Sequence, residues 1–208
     1  MKTWRRSLLL LTATSTLLLT GCTGGGSSAK SKLEAAQSVY RTMSGCTAQA
    51  EITADYGQRV YGYTVDLTVQ GGSGVMTVKE PENLAGTVLT WSDGETQLAF
   101  DGTELDTGTL SDSGLSPADA MPTILTACQG GEIVDCCMEE QEGTQVLHGT
   151  LDLDGDQGGQ IQCWFQPDSY GLLRAELSQD GVTVVTMQFS DFSFTFPEGG
   201  VEDGGGSQ

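Results

Sequence analysis

Apolar and polar residues alternate along most of this chain, beginning with the stretch CTAQAEITADY at Cys46–Tyr56. A period of two is typical of a β-strand with one buried face, because successive side chains point to opposite sides of a sheet. Similar stretches, separated by turn residues such as QGGSG, EPEN and SDGE, predict further strands at Tyr61–Val69, Val75–Lys79, Leu84–Trp91, Thr96–Phe100, Glu132–Met138, Gln145–Leu153, Gln160–Phe165, Leu172–Leu177 and Val182–Phe196.

Two other stretches have a helical period. In SKLEAAQSVYRTMSG, apolar residues recur every three or four positions, which predicts an amphipathic helix over Lys32–Met43 that ends before Gly45. The stretch LSPADAMPTILTACQGG starts with Ser-Pro and ends with Gly-Gly, which predicts a second, short or kinked helical segment over Pro117–Cys128. Because the strand connections are too short for parallel crossovers, the sequence predicts an α+β fold with a large antiparallel sheet of about 10–11 strands.

The first residues of the chain predict an export signal. Residues 2–6 carry three basic side chains, and Ser7–Leu19 is an apolar run that is too short to span a bilayer comfortably. The run ends in Leu19-Thr20-Gly21-Cys22, which resembles a bacterial lipobox and makes Cys22 the expected lipid-attachment residue. The predicted order is a signal peptide at 1–21, a lipidated Gly/Ser tether at 22–30, one folded domain at 31–197 and a disordered tail at 198–208.

Charge excludes one class of partner. The chain has 28 acidic and 9 basic residues, a formal net charge of −19. Only Glu34 among the acidic residues precedes Thr42, and the basic residues after Thr42 are Arg59, Lys79 and Arg174. Such a surface repels phosphate backbones and anionic lipid headgroups, so we expect no nucleic-acid partner.

Cysteine content also bounds the chemistry. Besides Cys22 the chain contains an odd number of cysteines, so at least one thiol is free: the set is Cys46, Cys128, Cys136, Cys137 and Cys163. A zinc site takes a C-x-x-C pair or several histidines, whereas this chain offers an adjacent pair and a single histidine, His148. We therefore expect the thiols to be buried small hydrophobic residues, with no metal, no cofactor and no catalytic residues.

The chain resembles a known protein family in its overall layout. The lipobox, the N-terminal helix and a long antiparallel sheet interrupted by a helical segment are similar to the LolA-like superfamily of bacterial envelope lipoproteins, and the stretch VKEPENLAGTVLTWSDGETQLAFDG carries most of the likeness. The resemblance implies an unclosed half-barrel whose concave face is covered by the two helical segments, with a cavity for acyl chains. On that basis the candidate ligand-binding residues are the bulky aromatic residues Tyr61, Tyr63, Trp91, Phe100, Trp164 and Phe189.

The functional prediction follows from these observations. We expect a non-enzymatic lipoprotein on the extracytoplasmic face of the cell membrane, held there by its lipid anchor and binding a hydrophobic ligand such as a lipid acyl chain. The alternative is an adaptor that binds an envelope protein, for example a cell-wall hydrolase in sporulation or germination. An open apolar cavity favours the first and a filled concave face favours the second.

Overall fold

The computed structural model describes residues 25–109, 115–152 and 159–197. Within these residues the chain forms two α-helices, one 3-10 turn and eleven strands. Their bounds are α1 Gly25–Thr42, β1 Gly45–Asp55, β2 Val60–Gln70, β3 Ser73–Glu80, the 3-10 turn Glu82–Leu84, β4 Val88–Ser92, β5 Glu95–Phe100, β6 Thr103–Thr109, α2 Pro117–Gly130, β7 Glu132–Gln141, β8 Thr144–Asp152, β9 Gly159–Phe165, β10 Leu172–Gln179 and β11 Val182–Thr195.

All eleven strands belong to one antiparallel sheet with the order β6-β5-β4-β3-β2-β1-β11-β10-β9-β8-β7. Strands β1 and β11 pair at the centre, so the first and last strands of the chain hold its two halves together. The edge strands β6 and β7 do not pair with each other, so the sheet is an unclosed half-barrel. The predicted α+β fold class is confirmed.

Both helices pack on the same face of the sheet. Helix α1 has a stripe of apolar residues that faces the sheet, with successive members four, three and four positions apart. All of them are at most 1% exposed: Ala29, Leu33, Ala36 and Tyr40. A side-chain carbon added to Gly149 of β8 would lie 2.6 Å from the Leu33 side chain, so glycine is what lets α1 approach this strand. Cys128 of α2 lies 3.9 Å from Cys163 of β9, measured between the sulfur atoms. These contacts define the inner face of the sheet, and the opposite face is the outer face.

The structure departs from the predicted helices at their ends and at one proline. Helix α1 begins at Gly25, inside the predicted tether at 22–30, because the buried Ala29 extends the apolar stripe by one turn. Helix α2 continues to Gly130 and passes through Pro122, with Ser116 as its N-cap and Pro117 in its first turn. Tertiary packing of seven buried residues in this helix outweighs the cost of an interior proline.

The predicted strands all occur, with shifts of a few residues at their ends. Strand β4 starts at Val88 because the preceding Glu82–Leu84 forms the 3-10 turn, and β6 adds one strand that the pattern did not delimit. The pairing of β1 with β11 has a register shift opposite Ala48, where Asp191 has φ of 53°. The predicted tail at 198–208 and the loop at 153–158 between β8 and β9 lie outside the described residues.

Candidate functional site

The inner face continues beyond the helix-covered core at the hairpin that joins β1 and β2. Ala54 pairs with Tyr61 and Ile52 pairs with Tyr63, and directly paired residues share a face of the sheet. Ala54 and Ile52 are at most 1% exposed, whereas Tyr61 is 38% exposed. The apolar face therefore emerges from under the helices as an aromatic rim at this end of the sheet.

An open cleft of about 400 Å³ lies on this rim and is lined by Tyr56, Gln58, Arg59 and Tyr61. The rings of Tyr56 and Tyr61 meet edge to face with centroids 6.1 Å apart. The Tyr56 hydroxyl donates a hydrogen bond to the Leu115 carbonyl at 2.9 Å, which ties the rim to the segment that leads into α2. Partial burial, followed by the neighbouring Tyr63 and Tyr61 and by Asp119, raises the pKa of Tyr56, so this phenol stays protonated at neutral pH.

Arg59 gives the cleft a positive charge in a strongly acidic protein. Of the other two cations after Thr42, Lys79 pairs with Asp66 at 2.9 Å and Arg174 pairs with Glu176. Among the described residues, no ion pair engages Arg59, and its side chain is exposed. Its guanidinium is therefore available to a carboxylate or phosphate group that enters the cleft.

The sequence-predicted ligand residues are only partly brought together. Tyr61 lines the cleft and Tyr63 follows it on the same strand face, packed against the core. Trp91 and Phe189 also lie on the inner face but are buried in the core, at 4% and 9% exposure. Phe100 is 41% exposed on the inner side of β5, where it does not contribute to the cleft.

Trp164 lies on the outer face, away from the helices, because its neighbour Cys163 points at α2. It belongs to a row that crosses four strands, in which Cys137 pairs with His148, His148 pairs with Trp164, and Trp164 pairs with Arg174. The His148 and Trp164 rings stack with centroids 4.5 Å apart and an interplanar angle of 2°. The Arg174 guanidinium lies 5.3 Å from the centroid of the same indole. This row forms a second cluster, separate from the cleft.

Glu139 completes the outer cluster. Trp164 Nε1 donates a hydrogen bond to Glu139 Oε1 at 2.5 Å, while Glu139 Oε2 lies 3.8 Å from His148 Nδ1. The Cys137 sulfur also lies 3.8 Å from His148 Nδ1. Burial, then the charges of Glu139 and Asp135, raises the pKa of the Cys137 thiol.

Sequence reasoning missed this cluster, although a signal for it exists. Glu142-Gly143 is a two-residue hairpin turn with both residues at positive φ, and it pairs Gln141 with Thr144. Counting outward from that turn places Cys137 directly opposite His148. The pair is not evident from the residues taken singly, because only the register that this turn sets brings His148 beside Cys137.

The five described thiols are unpaired and differ in their surroundings. Cys46, Cys128 and Cys163 are buried, as expected for small hydrophobic residues, and burial raises the pKa of Cys46 to about 11. Cys136 is partly exposed, whereas Cys137 is exposed, so Cys137 does not fit the expected buried role. The reason is its position on the edge strand β7, on the outer face of the sheet, opposite the described helices α1 and α2.

Comparison with solved structures finds bacterial proteins of similar overall layout. The lipoprotein LppX of Mycobacterium tuberculosis is 12% identical, with a TM-score of 0.48 over 83% of this chain and 98% of that chain. LprF of Mycobacterium bovis is 14% identical, with a TM-score of 0.46 over 84% and 98%. The LolA superfamily protein NE2245 of Nitrosomonas europaea is 11% identical, with a TM-score of 0.41 over 79% and 92%.

These three structures are similar to the chain in overall layout. Identities this low carry no information about ligand or activity. No protein-family model and no curated protein matches the chain. Among the described residues, no helix has the length and apolar character that a membrane crossing requires.

Proposed function

We propose that this chain is a non-enzymatic, lipid-anchored lipoprotein of the extracytoplasmic membrane surface that binds an acyl chain at the cleft between Tyr56 and Tyr61. The observation that carries the proposal is the aromatic rim, where the apolar inner face of the sheet emerges uncovered by α1 and α2. Apolar surface of this kind is stabilised when a ligand covers it, and each buried methylene contributes about 0.8 kcal/mol.

Arg59 suggests which end of the ligand is outermost. A guanidinium beside phenol rings suits a carboxylate or phosphate head, with the acyl chain running along Tyr61 and Tyr63 toward the core. This modifies the expectation from net charge alone, by which the acidic surface repels anionic lipid headgroups, because the local charge of the cleft differs from that of the whole surface.

The anchor in this proposal is Cys22 in the lipobox, which lies outside the described residues. Helix α1 begins at Gly25, and three extended residues span at most about 11 Å. The folded domain would thus be held close to the membrane surface, where acyl ligands are available. Two or more acyl chains hold a protein stably on a bilayer, whereas one chain holds it only marginally.

Binding is tested with a fluorescent fatty acid and the purified protein. We expect Tyr61→Glu to weaken probe binding by about tenfold or more, since it removes an aromatic contact and places a carboxylate beside the probe's own. Arg59→Gln should weaken binding less, and the wild-type affinity should fall with added salt while the Arg59→Gln affinity should not.

The matched control is Val75→Glu, which changes a residue of similar exposure, 39%, on β3. It adds the same charge away from the cleft and should leave probe affinity unchanged. Equal loss in Tyr61→Glu and Val75→Glu would attribute the effect to net charge, and the cleft would then not be the binding site. Absence of probe binding by the wild type would refute the proposed binding of an acyl chain.

One observation favours the adaptor as a second candidate. Most of the described inner face is filled, with core residues at 0–9% exposure, and exposed apolar residues gather at one end of the sheet. Tyr56, Val60 and Val182, exposed to 48%, 62% and 63%, lie at the β1–β2 and β10–β11 hairpins, which the pairing of Ala54 with Val185 places side by side. The adaptor role would replace acyl-chain binding if two results were found together. No acyl probe would bind, and a photo-crosslinker at position 60 would capture a cell-wall hydrolase in the wild type but not when Tyr61 is changed.

The anchor is tested by Cys22→Ala. We expect the wild type to partition with membranes and to carry acyl mass at Cys22, and the variant to lose that mass and to remain unprocessed or become soluble. Intact mass spectrometry and membrane fractionation measure both properties. Ser28→Ala, an exposed change in α1, serves as the control and should behave as the wild type. A wild type without acyl mass would contradict the lipid anchor.

A further inference from the structure

The outer cluster of Cys137, Glu139 and His148 brings three potential metal ligands to one point. The sulfur, the nearer carboxylate oxygen and a ring nitrogen all lie within 4.8 Å of one another. Two of the separations, from Nδ1 to sulfur and from Nδ1 to Oε2, are 3.8 Å. Ligands bound tetrahedrally to zinc at about 2.0–2.3 Å stand about 3.3–3.6 Å apart, so these two pairs need to close by only a few tenths of an ångström.

Neighbouring Trp164 orients two of the three candidate ligands. Trp164 holds Oε1 of Glu139 through its indole N–H, which leaves Oε2 directed at the histidine. The stack on the same indole fixes the plane of the His148 ring. Hydrogen bonds and packing that orient the ligands in this way are the usual surroundings of a metal site. The nearby cation Arg174 is paired with Glu176, so the carboxylate of Glu139 is not neutralised by it.

The Nδ1 atom of His148 faces the other two candidate ligands. It lies 3.8 Å from the Cys137 sulfur and 3.8 Å from Glu139 Oε2, while the His148 side chain is only 19% exposed and its Nε2 atom is buried without a hydrogen-bond partner. A cation bound at Nδ1 would satisfy that nitrogen's lone pair and leave the proton on Nε2.

The same geometry argues against a cysteine–histidine–glutamate catalytic relay. In such a relay one ring nitrogen faces the nucleophile and the other faces the acid. Here the sulfur and the carboxylate both face Nδ1, an arrangement that converges on a point instead of passing a proton along. All three residues also lie on regular paired strands. Their backbone N–H groups form hydrogen bonds between the strands, so they are not free to stabilise a negatively charged reaction intermediate.

We infer that Cys137, Glu139 and His148 form a binding site for a zinc-class divalent cation, with three protein ligands and one coordination position open to water or to a partner's side chain. A thiolate with an imidazole and a carboxylate is a ligand set that zinc accepts, whereas calcium and magnesium prefer oxygen ligands alone. Binding converts the Cys137 thiol to thiolate and releases its proton to water.

The test uses the purified full-length chain in detergent, titrated with Co²⁺ and then with Zn²⁺. We expect one equivalent of Co²⁺ to give a thiolate-to-cobalt charge-transfer band that Zn²⁺ abolishes. Cys137→Ser should remove the band. His148→Gln and Glu139→Gln should weaken Co²⁺ binding at least tenfold, and Trp164→Phe, which removes the indole N–H, should weaken it by about tenfold.

Matched controls separate the site from the neighbouring groups. Cys136→Ser changes the adjacent thiol, which faces the inner side with Gly149, and Glu140→Gln changes an exposed carboxylate on the same strand. Both should bind Co²⁺ as the wild type does. The inference is overturned if the band persists in Cys137→Ser, if Cys136→Ser abolishes it, or if the wild type shows no band at millimolar Co²⁺. Far-UV circular dichroism of each variant checks that it is folded, and Glu139→Gln, the most conservative change, keeps the test decisive if His148→Gln does not fold.

Discussion

Tyr40→Ala is expected to lower the free energy of unfolding by about 3–5 kcal/mol, the usual cost of removing a large buried aromatic side chain. Tyr40 of α1 is fully buried, and its ring contacts Phe165, Phe192 and Phe194 with centroids 5.1–6.2 Å apart. It therefore joins the helix to β9 and to the end of β11. Denaturant unfolding followed by circular dichroism measures the loss.

Tyr40→Phe is the matched control. It keeps the ring and removes only the hydroxyl, which donates to the Tyr170 carbonyl at 3.0 Å, so it should cost about 0.5–1.5 kcal/mol. If both variants cost the same, the hydrogen bond would be the main contribution and the aromatic packing would be unimportant. If neither costs anything measurable, α1 would not be packed on the sheet as described.

Gly74→Ala is expected to destabilise the fold by about 1–3 kcal/mol through overpacking. A side-chain carbon added to Gly74 in β3 would lie 1.9 Å from the ring of its strand partner Trp91, which is itself 4% exposed and belongs to the hydrophobic core. Gly62→Ala is the control, because Gly62 also lies within a strand but has nothing within 4 Å of the added carbon. It should be neutral or slightly stabilising.

The physical cause is tested by a double-mutant cycle. In a Trp91→Ala background the ring is gone, so Gly74→Ala should cost no more than Gly62→Ala does there. Additive costs in the cycle would show that the strain at Gly74 comes from the backbone, and the close approach of Trp91 would not explain it.

Much of the fold follows from local patterns. Alternation in Cys46–Tyr56 and Tyr61–Val69 predicted β1 and β2 because one side of each strand is buried along most of its length. Short turns such as Asp180-Gly181, with both residues at positive φ, make neighbouring strands antiparallel. The lipobox at Cys22 and the proposed lipid anchor rest on the sequence alone.

The candidate site followed from the sequence only in part. Residue type identifies the aromatic side chains, but the alternation along a strand does not say which face of the sheet is inner. Tyr61 and Trp164 looked equivalent as sequence features, yet one lies at the cleft and the other is on the outer face. The role of Arg59 was also not visible, since it depends on Lys79 and Arg174 being paired elsewhere.

The sequence by itself determined the strands, the two helical segments and the acidic character of the protein, because these depend on the period of side chains and on composition. Only the tertiary structure decided where α1 begins, which aromatic residues remain uncovered and that Cys137 meets His148. The physical reason is that packing of helices on one face, and register between strands, are set by contacts between residues distant in the chain, which no local pattern contains.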